Sequence, residues 1–500
     1  MPNITTRTVE ALEDRVSMFQ SRDEMLYVRF TWNKKHQIAK LQGSSFRAYV
    51  QDFYYNLHGD VPPRSSTEAI VDWFKGKCLT SPRLSPSVRV KKHKDTTWFN
   101  MSDKDWRYIK VDQEGWSIEK ECPPEVPLVR EQSVSRYPDP VRGGNLELLK
   151  KHIHYGDEDQ WKLLVGFMLS VMRDEKEYPI LVISGQQGSG KTTLSDILMT
   201  LLDPHGDTPA SLPKKESDIG TTARHRHLLA FDNISGLKWD VSDSLCKLST
   251  GLSVSQRSLY TNGELYQYTV TRPVILNGIP NLVNRDDLAR RVISLHLDRI
   301  PDGKKGKGIS QVKRDFLKDN PQILGGLLDA LVVCHRNIDT VKIGETKGFN
   351  EVARWVEAAA EHLGWEPGEF TRIYNENRLS SSSNLVEQNN LARTIMKTLA
   401  YLKDKGQPAQ FEGTYEQLIQ WFCIPSCSQF NVDQAVRDKK LPTSYNWRSE
   451  LLRIRDGLEP LGVKIYGVNK NELQQWRTND AARLAKVAIQ LHNVPNETTS

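Results

Sequence analysis

Tyr178-Pro-Ile-Leu-Val-Ile-Ser184 runs directly into Gly185-Gln186-Gln187-Gly188-Ser189-Gly190-Lys191-Thr192-Thr193, and the next residues continue through Leu194, Ile197, Leu198 and Leu201. The first segment is a short apolar run of the kind that forms a buried parallel strand. The last has the three-and-four spacing of a helix. A glycine-rich loop between such a strand and such a helix is the context of a P-loop. Gly185, Gly188 and Gly190 let backbone N–H groups turn toward phosphates at a positive helix N-terminus. Gly185 to Thr193 are therefore the expected ATP-binding residues. Lys191 is expected on the β- and γ-phosphates and Thr192 on Mg²⁺.

A carboxylate on a neighbouring strand should complete the metal site. His227-Leu-Leu-Ala-Phe-Asp232-Asn233 offers four apolar residues and then Asp232, about 40 residues beyond Lys191. Asn233 departs from the usual pattern, because motor ATPases place a glutamate after this aspartate to take a proton from the attacking water. Asn233 can orient water but cannot accept its proton, and Asp240 and Asp243 are the substitutes considered.

Further along, Ser258 to Val270 reads as a β-hairpin around Asn262-Gly263, the preferred type I′ turn. Arg272-Pro-Val-Ile-Leu-Asn277-Gly278 is another apolar strand. Asn277 would lie beside the γ-phosphate if that strand runs between the two already named. Leu288-Ala-Arg290-Arg291 precedes one more strand.

In this order, Gly185 to Thr192, Asp232, the Asp243 to Gly251 segment with Lys247, the hairpin, Asn277 and Asp287 to Arg291 resemble the superfamily 3 helicases. These are AAA+ ATPases of viruses, phages and plasmids, and the match is nearest to the ATPase halves of phage-type primase–helicases. The resemblance implies an α/β P-loop AAA+ core in a hexameric ring, with ATP at subunit interfaces. Asn277 would be a sensor, and Arg291, or its close competitor Arg290, an arginine finger reaching a neighbour's ATP. Lys191, Asp232 and Asn233 complete the implied catalytic set, with ATP and Mg²⁺ as cofactors. The hairpin would line the channel and touch DNA. Its tip, Thr261 to Glu264, carries no lysine, which moves that expectation to Arg257, Tyr260 and Asn262, while a purely structural hairpin stays open.

Around this core, residues 1–145 read as an accessory α+β domain, residues 146–378 as the ATPase with a helical segment, and residues 385–490 as a small winged-helix-like domain. Ser380 to Ser383 read as a flexible linker, and the last dozen residues as a disordered tail. Helix 447–461 is the candidate recognition helix, with Arg453 and Arg455 as DNA contacts, and Val463 to Val468 with Gln474 to Thr478 forming the wing. The basic run Arg89 to Lys94 suits either phosphate contact or an exposed strand. Asp103-Lys-Asp105 sits in a polar turn and is not read as a metal site.

Composition sets the frame. Five hundred residues predict two to four domains. At 38% apolar, 26% charged and a net charge of +6, the chain reads as a globular protein for which nucleic-acid binding is permitted but not required. No run of 18 apolar residues occurs, so no membrane association is expected. The six cysteines do not suggest a disulfide scaffold, and the N-terminus lacks a secretory apolar segment. A cytoplasmic location in a bacterial host or infected cell follows as the expectation. Expected partners are single-stranded or forked DNA, further copies of the chain, and a separate primase or other replication proteins. The leading expectation is an ATP-dependent helicase in the replication of a mobile element. An AAA+ ATPase that loads or remodels, or serves anti-phage defence, is the alternative. A small-molecule kinase ranks last, because it leaves Asn277 and Arg291 unexplained.

Overall fold

The computed structural model describes residues 3–131, 133–205, 209–257, 265–278, 286–300, 308–423, 441–444, 446–467 and 487–491. The chain is mixed α/β and divides into two compact units, Met1–Pro280 with Leu295–Tyr374, and Asn281–Ser294 with Asn375–Ser500.

In the first unit, β1 (Val16–Gln20), β2 (Leu26–Trp32) and β3 (Lys35–Lys40) form an antiparallel sheet. Helices Ile4–Glu13, Ser44–His58 and Arg64–Cys78 cover it through Leu12, Phe46, Val50, Ile70 and Phe74. A second antiparallel sheet runs β4 (Val90–His93), β5 (Thr96–Asn100), β6 (Tyr108–Asp112) and β7 (Gly115–Glu119).

Five more strands, together with the Leu295–Leu297 end of a sixth, belong to the first unit: β8 (Ile180–Gly185), β9 (Leu229–Ile234), β10 (Leu252–Arg257), β11 (Leu265–Val270), β12 (Val274–Gly278) and β13 (Val292–Leu297) supply its remaining sheets. The central sheet has the order β13-β8-β12-β9, and β12 is parallel to both β8 and β9. Its strands are almost wholly apolar, as expected where helices cover both faces of a parallel sheet. β10 and β11 pair as a separate antiparallel hairpin. The expected hairpin thus starts six residues earlier than Ser258. Its turn, with Tyr260 and Asn262, lies outside the described residues, as does the Arg257 side chain.

The 29-residue helix Ile309–Asn337 ties the antiparallel β4–β7 sheet to the core: the Trp116 indole donates to Asp329 at 2.7 Å, and His335 meets Thr97 at 3.0 Å. Pro321 and Gln322 inside this helix accept from Val141 and Asn145 N–H groups at 3.0 Å. Gly325 permits that approach, since a Cβ there would lie 1.8 Å from the Val141 carbonyl oxygen.

Ser380 to Ser383 are not a linker but part of helix Glu369–Gln388. Serine is a neutral helix former, and the Ser380 hydroxyl bonds the Asn377 carbonyl rather than opening the turn. The second unit holds helices Asn390–Asp404, Tyr415–Cys423 and Trp447–Leu458, with β14 (Gln410–Gly413), β15 (Val463–Tyr466) and β16 (Val487–Leu491) in the order β14-β16-β15. Leu391, Ile395, Phe411, Leu418, Trp447, Leu451, Val463 and Ile489 share its core. β15 therefore pairs with β16, whose last residues were expected in a disordered tail. Gln474 to Thr478, the expected second wing strand, lie outside the described residues. Among the described residues no helix is long and apolar enough to cross a membrane.

Candidate nucleotide-binding site

The parallel order β8-β12-β9 places three carboxyl ends side by side, and each carries part of the expected site. β8 ends at Gly185 and leads through the loop into helix Lys191–Leu202. Gly188 and Gly190 adopt left-handed backbone with φ of 84° and 87°, the conformation glycine takes without strain. Gly190 caps the helix without a side-chain hydrogen bond, leaving the first-turn N–H groups for another acceptor. The Lys191 ammonium curls over the loop and donates to the Gly185 and Gln186 carbonyls at 2.8 and 2.9 Å. Partial burial holds Lys191 below its ordinary pKa, and the Asp232 carboxylate acts in the opposite sense.

Asn277 closes the floor of the site. It is 1% exposed, its register on β12 sets it opposite Ile183 of β8, and its Nδ2 donates to Thr192 Oγ1 at 3.4 Å. Its Oδ1 is buried without a hydrogen-bond partner, and so is the Ser189 hydroxyl in the loop. Two orphaned polar atoms in one cradle are uncommon in a satisfied protein interior. Together with the open helix N-terminus, they fit a phosphate-bearing ligand with its hydrated cation. Thr192 and Asp232 would hold Mg²⁺, and Gly185 to Thr193 the phosphates. Among the described residues, no group of three or more His, Cys, Asp or Glu side chains could itself hold a metal.

Asp232 lies on β9, half-buried, and accepts the N–H of Asn233 at 2.6 Å. Asn233 is exposed and left-handed, with φ of 56°. Asp240 and Asp243 lie on helix Trp239–Thr250, the first exposed and the second half-buried.

Sequence reasoning missed two features of this region. His154 Nδ1 lies 3.2 Å from the Ser189 carbonyl oxygen and forms a side wall of the loop. At the other end of the helix, Asp203 gathers Arg89 Nε at 2.8 Å, His205 Nε2 at 2.9 Å and the N–H groups of His227 and Leu228 at 2.9 and 3.0 Å. Arg89 is fully buried, its guanidinium also bonding the Asn100, Ser135 and Pro204 carbonyls and lying over Tyr137. Lys91 and Lys92 pair with Asp174 and Glu175. Arg89, Lys91 and Lys92 of the basic run are thus occupied within the protein, and nothing local in sequence signals partners more than 80 residues away. Asp103 likewise accepts from Asp105 and Arg107 within its own turn.

In the second unit, Arg291 bonds the carbonyl and carboxylate of Asp287 one turn earlier on Asp286–Ala289. Arg448 is 5% exposed and donates to Gly467, so it faces the domain interior. Arg455 is half-buried on the same helix, and the Arg453 side chain lies outside the described residues.

Residues 146–347 match the family model described as "Actinomycete integrative conjugative element replication protein". That stretch holds the whole site, so the site-bearing part of the chain is similar to a mobile-element replication protein. No curated protein matches the chain. Among solved structures, the chain is similar to "SCCmec type IV Cch - active helicase" at 12% identity and TM-score 0.44, covering 85% of this chain and 89% of that one. It is also similar to "The A form apo structure of NrS-1 C terminal region-CTR" at 10% identity and TM-score 0.42, covering 86% and 91%.

Proposed function

We propose that the protein is an ATP-dependent DNA helicase or translocase that acts in replication of a mobile element, in the cytoplasm of the host. The observation that carries this is the parallel order β8-β12-β9, with the Gly185 to Thr193 loop, Asn277 and Asp232 at neighbouring strand ends. A P-loop AAA+ core is the fold this arrangement supports. Lys191 and the loop N–H groups bind the phosphates, Thr192 and Asp232 hold the Mg²⁺ shell, and Asn277 positions the water or the γ-phosphate. ATP supplies a transferable phosphoryl group when bound. The proposed assembly is a hexameric ring in which Arg291, or Arg290, serves a neighbour's site, where a cation stabilises charge developing on the phosphoryl oxygens. The proposed fold of the second unit is winged-helix-like. Arg453 and Arg455 on its helix Trp447–Leu458 are proposed DNA contacts, and Arg257, Tyr260 and Asn262 of the hairpin segment in the first unit are the others. The proposed domains are 1–145, 146–378 and 385–490.

A second reading rests on Asn233. An ATPase without a proton acceptor after Asp232 turns over slowly, which suits a loader or remodeller, including one in anti-phage defence, better than a processive motor. ATP hydrolysis with and without single-stranded DNA, and strand displacement on a forked duplex, separate the two. Wild type should hydrolyse faster with DNA and displace a strand, and Lys191→Ala should do neither. Turnover stimulated by DNA without displacement supports the second reading. Turnover indifferent to DNA without displacement overturns the helicase.

A further inference from the structure

Away from the nucleotide site, the first unit contains a cavity of about 370 Å³ with β11 on one side and the β1–β3 domain on the other. Its lining includes Arg22, Lys40, Glu131, Arg224, Gln267 and Thr269. Both acids at this cavity are already paired. Asp23 bonds Arg224, whose guanidinium lies over the Tyr268 ring, and Glu131 meets His225 at 3.2 Å. Arg22 and Lys40 are different: neither makes a hydrogen bond or ion pair among the described residues, although the Lys40 ammonium is near enough to Glu131 to help hold its carboxyl below the usual value. Arg22 is exposed and Lys40 half-buried. The opposite wall is a strand edge. β11 pairs only with β10 in a two-stranded sheet, so among the described residues its other edge has no partner strand.

We infer that this cavity is a subsite for the backbone of a single nucleic-acid strand, with Arg22 and Lys40 on phosphates and the exposed Gln267 and Thr269 of β11 opposite them. The inference rests on the proposal that the protein acts on DNA. Two cations with no hydrogen-bonded acid of their own, facing polar side chains and a strand edge, suit an anion that also accepts hydrogen bonds, which is phosphodiester chemistry. A cavity of this volume has the scale of a small-molecule site. It admits one or two nucleotides of a strand but not a duplex. The lining carries Arg22, Lys40, Arg224 and Arg272 against Asp23 and Glu131, and this excess of cations favours a polyanion over an apolar peptide.

The test is fluorescence anisotropy of a labelled oligothymidylate with the full chain, across a range of salt concentrations. The double substitution Arg22→Gln with Lys40→Gln should weaken binding and lower the slope of log affinity against log salt. About 0.7 of slope is expected per phosphate contact on single strands, so the loss should be about 1.4. Arg22→Lys with Lys40→Arg should keep the slope, which guards against a folding defect. Lys75→Gln with Lys120→Gln removes the same charge from exposed positions elsewhere and should change little. If wild type binds and the Arg22/Lys40 double variant binds with the same slope, this subsite is overturned while DNA binding stands. If wild type does not bind, both the subsite and the proposed action on DNA fall. Equal losses in both double variants would also overturn the subsite, since general charge would then suffice.

Discussion

Arg89 closes on Asp203 with an Nε–Oδ1 distance of 2.8 Å, and both side chains are fully buried. The pair joins the β4 segment to the end of the helix that begins at Lys191, and through the His227 and Leu228 N–H groups to the start of β9. Removing one partner strands the other charge, which typically costs about 3–5 kcal/mol. Arg89→Ala is expected to lower the unfolding free energy by roughly that amount in urea titration. The Arg89→Ala/Asp203→Asn double variant should lose less than the sum of the singles. Additive losses would show that the two side chains are not coupled.

Acid should weaken the same region in two stages. Burial pushes the His227 and His335 imidazoles down to about 4. The unfolded chain protonates them near about 6.5, so their contribution is complete above that pH and is lost as pH falls toward 4. Burial alone would raise the Asp203 carboxyl. The His205 hydrogen bond and the charges of Arg89 and His205 outweigh it and hold the group well below the usual carboxylate range. Its contribution therefore persists until pH falls below the unfolded value of about 3.9. Unfolding free energy measured from pH 7 to 4 should decline, and His335→Gln should flatten the decline. An unchanged slope would exclude His335 as a source.

Asn233 shows what sequence alone could and could not tell. The strand, loop and helix around Gly185 to Thr192 are local patterns, and they appear at the expected residues. The placement of Asn277 was conditional on strand order, and the order β8-β12-β9 meets that condition. Asn233 could be seen as a missing glutamate, but its left-handed φ of 56° could not. Asparagine tolerates that conformation better than other side chains with a Cβ. Asn233→Gly is expected to leave stability within a few tenths of a kcal/mol, whereas Asn233→Ala should cost about 1 kcal/mol. Equal stabilities would mean the left-handed backbone does not select the residue. Arg89 was illegible for the opposite reason, since its charge pattern is local and its partner lies 114 residues away.

Asn277 separates function from stability. Its Oδ1 is buried without a partner, so removing the amide takes away an unsatisfied group as well as the bond to Thr192. Asn277→Ala is expected to cut kcat for ATP hydrolysis by about 10²-fold, in line with losing one positioned donor. Its unfolding temperature should fall little. A large stability loss with unchanged kcat would make Asn277 a packing residue only.

The role proposed for Arg291 makes a prediction that a single-subunit site cannot mimic. In this structure Arg291 is held by Asp287 on its own helical turn. Acting on a neighbour's ATP would require it to exchange that carboxylate for phosphate oxygens. Lys191→Ala removes the phosphate cradle and Arg291→Ala removes the finger, so each variant alone should hydrolyse ATP poorly. In a ring of head-to-tail interfaces, equal mixing pairs an intact Lys191 with a neighbour's intact Arg291 at about a quarter of the interfaces. Hydrolysis should recover accordingly on mixing and rise above either parent. The same experiment with Arg290→Ala decides between the two arginines, because recovery is expected for the residue that acts in trans. Absence of recovery with both, at every mixing ratio, would remove the inter-subunit site from the proposed mechanism.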